Sequence, residues 1–233
     1  KHYPQPHPEI QEKAEEIDIE FVANDLPKLL NSMKVGADRI RQLVLSLRNF
    51  SRLDESDIKP VDIHEGIDST LMILQHRLKP KSGHSGIQVI KDYDDLPLVE
   101  CYAGQLNQVF MNLLSNAIDA LESKSRTEEK TAEINSANLS ELKIEISTKI
   151  VKNHLVTIKI ADNALGIPPD VKPRIFDPFF TTKEPGKGTG LGLAISYQII
   201  VQKHRGKLKC TSQPEIGTEF SIEIPIKQAI INL

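Results

Sequence analysis

Phe176-Asp177-Pro178-Phe179-Phe180-Thr181-Thr182-Lys183, followed by Gly186-Lys187-Gly188-Thr189-Gly190-Leu191-Gly192-Leu193, sets an aromatic cluster, a lysine and alternating glycines before an apolar run. That run, Leu191 to Val201, reads as a helix. Glycines at every second position let backbone N–H groups face a ligand with no Cβ in the way. A helix start behind them adds unpaired N–H donors and the positive end of a dipole, so the fitting guest is a phosphate chain. Neither common phosphate motif matches: Gly-x-x-x-x-Gly-Lys-Ser/Thr is absent, and no strand ends just before the first glycine. A flexible linker is the plain alternative, and it explains neither the Phe-x-Pro-Phe-Phe lead nor the helix.

The 233 residues suffice for one good domain plus a smaller element. With 29 basic and 32 acidic residues and a net charge of −3, nothing advertises a surface for nucleic acid or another polyanion. No apolar run approaches the ~20 residues that span a bilayer, and no secretory signal precedes the first helix. Lys1 to Pro8 reads as an arbitrary start within a longer protein. Cys101 and Cys210 are too few for a disulfide framework and read as packing thiols of a reducing compartment. No Cys/His cluster has zinc spacing. The expectation is a cytoplasmic fragment, whose parent is either soluble or membrane-anchored.

Upstream, residues 9–53 read as helical. Leu26, Leu30, Met33, Ala37, Ile40, Val44 and Leu47 form a heptad seam, and Leu29, Gly36, Leu43 and Phe50 broaden it. A stripe this wide needs several neighbours, as in a helical bundle. One chain supplies too few helices, so a homodimer through residues 9–53 is expected; packing on the second domain is the alternative. Asp25 before Leu26-Pro27 reads as an N-cap. Residues 54–60 read as a polar hinge, which divides a helical region, 1–56, from a second domain, 57–230. That domain reads as a helix from His64 to about Lys79, a strand at 87–91, and an amphipathic helix at 104–121. Ser123 to Ser140 is almost wholly polar and reads as a loop. A hairpin about Lys152-Asn153-His154 follows, then strands at 207–211 and 219–226. The sum is an α+β fold, an antiparallel-rich sheet with helices on one face, preceded by a long bundle-forming helix.

Asn112 and Asn116 lie four apart on one face of the 104–121 helix and interrupt its apolar character. Two stacked amide oxygens suit an octahedral Mg²⁺ that keeps water and phosphate as other ligands; a pair of surface or capping asparagines is the ordinary alternative. Asp162-Asn163-Ala164-Leu165-Gly166-Ile167 follows a strand. A carboxylate there can accept from an exocyclic amine such as adenine N6, or simply stabilise its own turn.

The order of these motifs is more specific than any one of them. Asn-x-x-x-Asn-Ala on a helix, Asp-x-x-x-Gly after a strand, Phe-x-Pro-Phe-Phe and Gly-x-Gly-x-Gly-Leu-Gly resemble the N, G1, F and G2 boxes of sensor histidine kinases. Those enzymes share an ATP-binding superfamily with type II topoisomerases, Hsp90 and mismatch-repair ATPases. The resemblance covers roughly Val61 to Ile226 and implies the superfamily's Bergerat-type ATP-binding sandwich. It implies Mg²⁺ held at Asn116 with Asn112 in support, and catalysis resting on Asn112, Asn116 and Lys183. It implies adenine read by Asp162, with Gly166, Ile167 and Thr218 lining the pocket. Residues 168–189 become a mobile lid, with Lys183 and the N–H groups of Gly188, Thr189, Gly190, Leu191 and Gly192 on the phosphates. Phe176, Phe179 and Phe180 become lid anchors. The superfamily's hydrolytic members carry a glutamate where Asn112 stands, and asparagine cannot act as a base. That fits transfer to a side chain and then to a response regulator.

Two departures stand out. The usual Asp-x-Gly-x-Gly has Ala164 as its middle residue, which would strain the turn by about 1 kcal/mol or more if that position needs positive φ. The acceptor histidine followed by a carboxylate is missing from the first helix. Of the histidines at 2, 7, 64, 76, 84, 154 and 204, only His64 precedes an acid, Glu65, and it lies beyond the hinge. His64 reads as a helix-start residue, His154 as a turn residue and His204 as a helix end. The acceptor helix and the sensor are therefore expected upstream, in the parent chain. A hydrolytic ATPase and a degenerate, nucleotide-independent docking module are the rival readings.

Overall fold

The computed structural model of the chain describes residues 8–9, 13, 21, 24–34, 37, 57–80, 86–135, 141–152, 154–183 and 188–228. Two compact units meet in sequence at Leu45 and Ser46. In the first, residues 24–34 are helical, with Leu26, Leu29, Leu30 and Met33 more than half exposed. Asn24 and Phe21 are already helical, so Asp25 lies within the helix and does not cap it. The rest of the expected seam, Ile40, Val44 and Leu47 with Leu43 and Phe50, lies outside the described residues, as does the hinge up to 56.

The second unit runs β1 (Lys59–Val61), α1 (Ile63–Leu78), β2 (Ile87–Tyr93), β3 (Val99–Cys101), α2 (Ala103–Asn135), β4 (Leu142–Val151) and β5 (Leu155–Asp162). It ends with α3 (Gly192–Tyr197), β6 (Lys207–Gln213) and β7 (Gly217–Pro225). Among the described residues, the main sheet has the order β2-β4-β5-β7-β6. Only β2–β4 is parallel in it, joined by the α2 crossover; the other neighbours run antiparallel. β1 and β3 form a separate antiparallel ribbon. Lys59 and Pro60, expected in the hinge, belong to that ribbon, where proline is tolerated because the strand has one partner and no second ladder to complete.

Alternation along the strands explains the layering. Ile144 and Ile146, Ile158 and Ile160, and Ile222 and Ile224 point to one face and are buried. The other face carries the ion pairs Lys159–Glu219 at 3.1 Å and Lys209–Glu223 at 3.2 Å. α1 lays Ile63, Ile67, Leu71 and Leu74 on the apolar face, and Asp62 caps it by accepting from the His64 N–H at 2.8 Å. α2 adds Leu106, Val109, Phe110, Leu113, Leu114, Ala117, Ile118 and Leu121.

α2 does not stop at Leu121. It continues through Asn135, replacing most of the expected polar loop; 136–140 lie outside the described residues. The extension lacks an apolar stripe, but it is rich in Glu, Lys, Arg and Ala, all good helix formers. Thr127 Oγ1 donates to the Ser123 carbonyl at 3.0 Å within it. The expected 191–201 helix is also divided: α3 ends at Tyr197, and residues 198–203 form a wider π turn closed by the His204 N–H on the Ile199 carbonyl at 3.1 Å.

His204 is fully buried at that turn. Its Nε2 accepts from the Tyr102 N–H at 3.0 Å, which leaves Nδ1 to donate to the Ile199 carbonyl at 2.9 Å. Burial lowers its pKa, with the Ile199 bond working the other way. The neutral ring is thus the folded form. Its stabilising contribution is present above the ordinary histidine pKa and is lost as pH falls from there through the folded pKa. Replacing His204 with leucine leaves the Tyr102 N–H without its acceptor. Urea unfolding at pH 7.5 should show a loss of about 1–3 kcal/mol, and the gap to wild type should narrow as pH falls.

Candidate nucleotide-binding site

Helix α2 presents Asn112, Asn116 and Asp119 at spacings of four and three, hence on one stripe. Asn112 Nδ2 donates to the Gly192 carbonyl at 2.9 Å and to Ser196 Oγ at 3.2 Å, which fastens the glycine-led start of α3 to α2. Lys183 Nζ donates to Asn116 Oδ1 at 3.2 Å and to Asp119 Oδ2. Arg77 on α1 takes the other oxygen, Asp119 Oδ1, at 2.6 Å and also bonds Glu122 Oε2 at 2.9 Å. Burial pushes the Asp119 carboxyl up, but the bonds from Lys183 and Arg77 outweigh it and hold the group below the ordinary carboxylate range. Asn116 and Asp119 thus already aim two oxygens at one cation, an ammonium here, which suits a hard metal ion equally. Among the described residues no group of three or more His, Cys, Asp or Glu could hold a metal alone. An ion such as Mg²⁺ would draw its remaining ligands from water and phosphate.

Between Lys183 and α3 the backbone is tight. Gly190 has φ 67°, and a Cβ there would lie 2.4 Å from the Phe179 carbonyl carbon, so only glycine fits. Gly188, Leu191 and Gly192 are half-buried, Thr189 is exposed, and Thr189 Oγ1 accepts from the Leu191 N–H at 3.4 Å. The aromatic residues divide their work. Phe176 packs against the core and on Tyr197, with ring centroids 5.3 Å apart, and Phe180 sits under the Arg174 guanidinium at 4.4 Å. Phe179 is no anchor: its backbone is left-handed at φ 65° and the residue is 74 % exposed.

At the end of β5, Asp162 Oδ1 accepts from the Ala164 N–H at 3.0 Å. Burial raises the Asp162 carboxyl to about 6; the Ala164 and Thr218 backbone N–H groups and the charge of Lys124 oppose it. Ala164 is fully buried and is not in a left-handed conformation, so the strain considered for it does not arise. The demanding position is Gly166, at φ 73°, where a Cβ would lie 2.3 Å from the Gln213 carbonyl oxygen. Ser212 Oγ ties β6 to this turn and to β7: it accepts from the Ile167 N–H at 2.8 Å, donates to the Gly217 carbonyl at 3.0 Å, and meets Thr218 Oγ1 at 3.0 Å. Asp119, Arg77, Glu122, Lys124 and Ser212 were not singled out from sequence. Asp119 alone had a legible signal, three residues after Asn116.

The family described as "Histidine kinase-, DNA gyrase B-, and HSP90-like ATPase" matches residues 102–228, more than half of the chain. The chain belongs to this ATPase family. It is 36 % identical to the sensor kinase CckA of Brucella abortus over 85 % of this chain and 20 % of that one. To the sensory histidine kinase/phosphatase NtrB of Rhizobium meliloti it is 32 % identical over 91 % of this chain and 53 % of that one. The catalytic domain of histidine kinase ThkA superposes with a TM-score of 0.56 at 28 % identity, over 72 % of this chain and 97 % of that one. The chain therefore carries a histidine kinase-type ATPase catalytic domain of α+β fold, and it spans from a fifth to about half of these curated relatives. No described helix is long and apolar enough to cross a membrane.

Lys183 is the tie between the segment that follows Phe180 and α2. Asp119→Asn removes the carboxylate that holds it. We expect trypsin to cut after Lys183 roughly severalfold faster in the nucleotide-free variant than in wild type, as followed by mass spectrometry.

Proposed function

We propose that residues 57–230 bind Mg·ATP and, in the whole protein, transfer its γ-phosphoryl group to a histidine for relay to a response regulator. The observation that carries this reading is that α2 serves both ends of one site. Asn112 bonds Gly192 of the glycine loop and Asn116 and Asp119 bond Lys183, while Lys124, eight residues after Asn116, reaches the turn after Asp162. Eight helical residues span ~12 Å, on the scale of a nucleotide from base to phosphates.

In this reading Asp162 accepts from the adenine amine, with Gly166, Ile167 and Thr218 around the ring. Lys183 and the N–H groups of Gly188, Thr189, Gly190, Leu191 and Gly192 hold the phosphates over the start of α3. Asn116 supplies the protein oxygen for Mg²⁺, supported by Asn112, whose Nδ2 keeps α3 in register. The ion would neutralise charge on the phosphates, and the chain's part is positioning. With asparagine at 112, this stripe lacks a base to activate water, which favours transfer over hydrolysis. His64 is a poor acceptor: its ring stacks on Tyr93 at 4.3 Å, and Nε2 lies 2.9 Å from the buried Thr148 hydroxyl. We therefore assign the accepting histidine, and the sensor, to another part of the whole protein. Residues 1–56 serve as part of the dimerisation region. The exposed Leu26, Leu29, Leu30 and Met33 support a homodimer through 9–53, and the whole assembly works on the cytoplasmic side.

Calorimetric titration of Mg·ATP into this chain tests the reading. We expect micromolar-range binding (on the order of −8 kcal/mol) that Asp162→Asn abolishes; no binding by wild type would leave only the docking-module reading. pH adds a second signature. The adenine amine needs the ionised carboxylate, so affinity should be full well above the midpoint, at pH 8, and decline as pH falls through about 6, where Asp162 is half protonated.

A further inference from the structure

Lys124 lies in the stretch of α2 that has no apolar pattern, yet its side chain is only 14 % exposed. Its ammonium donates to the Asn163 carbonyl at 2.7 Å, and Glu128 Oε1 lies 3.9 Å away. A neutral carbonyl does not offset the cost of withdrawing a full charge from water. The compensation comes from carboxylates, Glu128 on the same helix and Asp162 across the gap, whose ionised form Lys124 favours. Asn163 is held from its other side as well: Oδ1 accepts from the Lys143 N–H at 2.8 Å, and Nδ2 donates to the Glu141 carbonyl at 2.7 Å. The turn carrying Asp162 is thus gripped by β4 from one side and by α2 from the other.

We propose that Lys124 is a positioning residue for Asp162: anchored on the Asn163 carbonyl, it fixes the turn after β5 and sets a positive charge on the side of the turn that carries the carboxylate. The inference rests on the reading of Asp162 as the adenine-recognising group. Other titratable groups reach Asp162 from β6, through the Cys210 thiol, with Lys172 beside that thiol. β7 offers the Thr218 N–H and the turn offers the Ala164 N–H, neither of which titrates. Lys124 is the cation that bears on the carboxylate itself, and it comes from a helix turn well past the asparagine stripe.

The test is a ¹³C NMR titration of the Asp162 side-chain carboxyl in the nucleotide-free chain, for wild type, Lys124→Met and Lys124→Arg, with Lys124→Gln in reserve should methionine prevent folding. We expect a wild-type midpoint of about 6, a higher midpoint in Lys124→Met, and a near-wild-type midpoint in Lys124→Arg. An unmoved or lowered midpoint in the methionine variant overturns the proposal, because a merely structural contact leaves the titration where it was. In parallel, Mg·ATP affinity of Lys124→Met should fall roughly two- to fivefold at pH 6.5 and recover towards wild type at pH 8. An equal loss at both pH values also overturns the electrostatic role. The carboxyl titration uses no nucleotide, so it judges Lys124 apart from the ATP reading, which the Asp162→Asn calorimetry judges.

Discussion

Helix α2 can turn only one face to the sheet, and that constraint arranges everything else in the second unit. Leu106, Val109, Phe110, Leu113, Leu114, Ile118 and Leu121 are at most 2 % exposed. Each such side chain is worth roughly 1.5–3 kcal/mol by burial, whereas a partly exposed ion pair such as Lys183–Asp119 is worth about 1 kcal/mol or less. Burial therefore sets the rotation of the helix, and the polar contacts follow from it. With the apolar face committed, the 3.6-residue period leaves Asn112, Asn116 and Asp119 in a row beside it. Asn116 and Asp119 meet Lys183 from the segment after Phe180, and Asp119 also meets Arg77 from α1.

The turn after β5 depends on the same helix from its other end. Asp162 is buried enough that its charged form is disfavoured, and the turn answers with N–H groups from Ala164 and Thr218 and with the field of Lys124. Substituting alanine for the family's middle glycine costs nothing in backbone strain, because residue 164 keeps ordinary φ and its methyl is fully buried. The left-handed requirement falls two residues later, on Gly166, against the Gln213 carbonyl.

Strong periodicity made the sheet, both main helices and the asparagine stripe readable in advance. Ile144–Ile146 and Ile158–Ile160 alternate cleanly, and α1 and α2 carry unbroken apolar stripes. What escaped was decided by partners far away in sequence. Lys59-Pro60 is a strand only because Glu100 and Cys101 pair with it. The α2 extension has helix propensity without amphipathicity, so a search for apolar stripes ends at Leu121. Lys124, Arg77 and Ser212 gain meaning only from tertiary contacts with Asn163, Asp119 and Ile167. Phe179 looked like its aromatic neighbours, but the close approach of Gly190 to its backbone turns it left-handed and outward.

That outward turn bears on how the site could exchange partners. The Phe176 ring packs on Tyr197 and the Phe180 ring under Arg174, through aromatic and cation–π contact. Beyond them the hold passes to Lys183, whose ammonium bonds an amide oxygen and a carboxylate that already shares its charge with Arg77. A pair with both side chains about one third exposed is weak enough for a polyphosphate to compete for the lysine, since the incoming anion carries more charge than Asp119. Arg77 keeps its bond to Asp119 when the lysine leaves, so that carboxylate retains a cationic partner, shared with Glu122. On the proposed reading, the Lys183 contact with Asn116 and Asp119 is therefore also one that a nucleotide can take over with little loss to the fold beneath it.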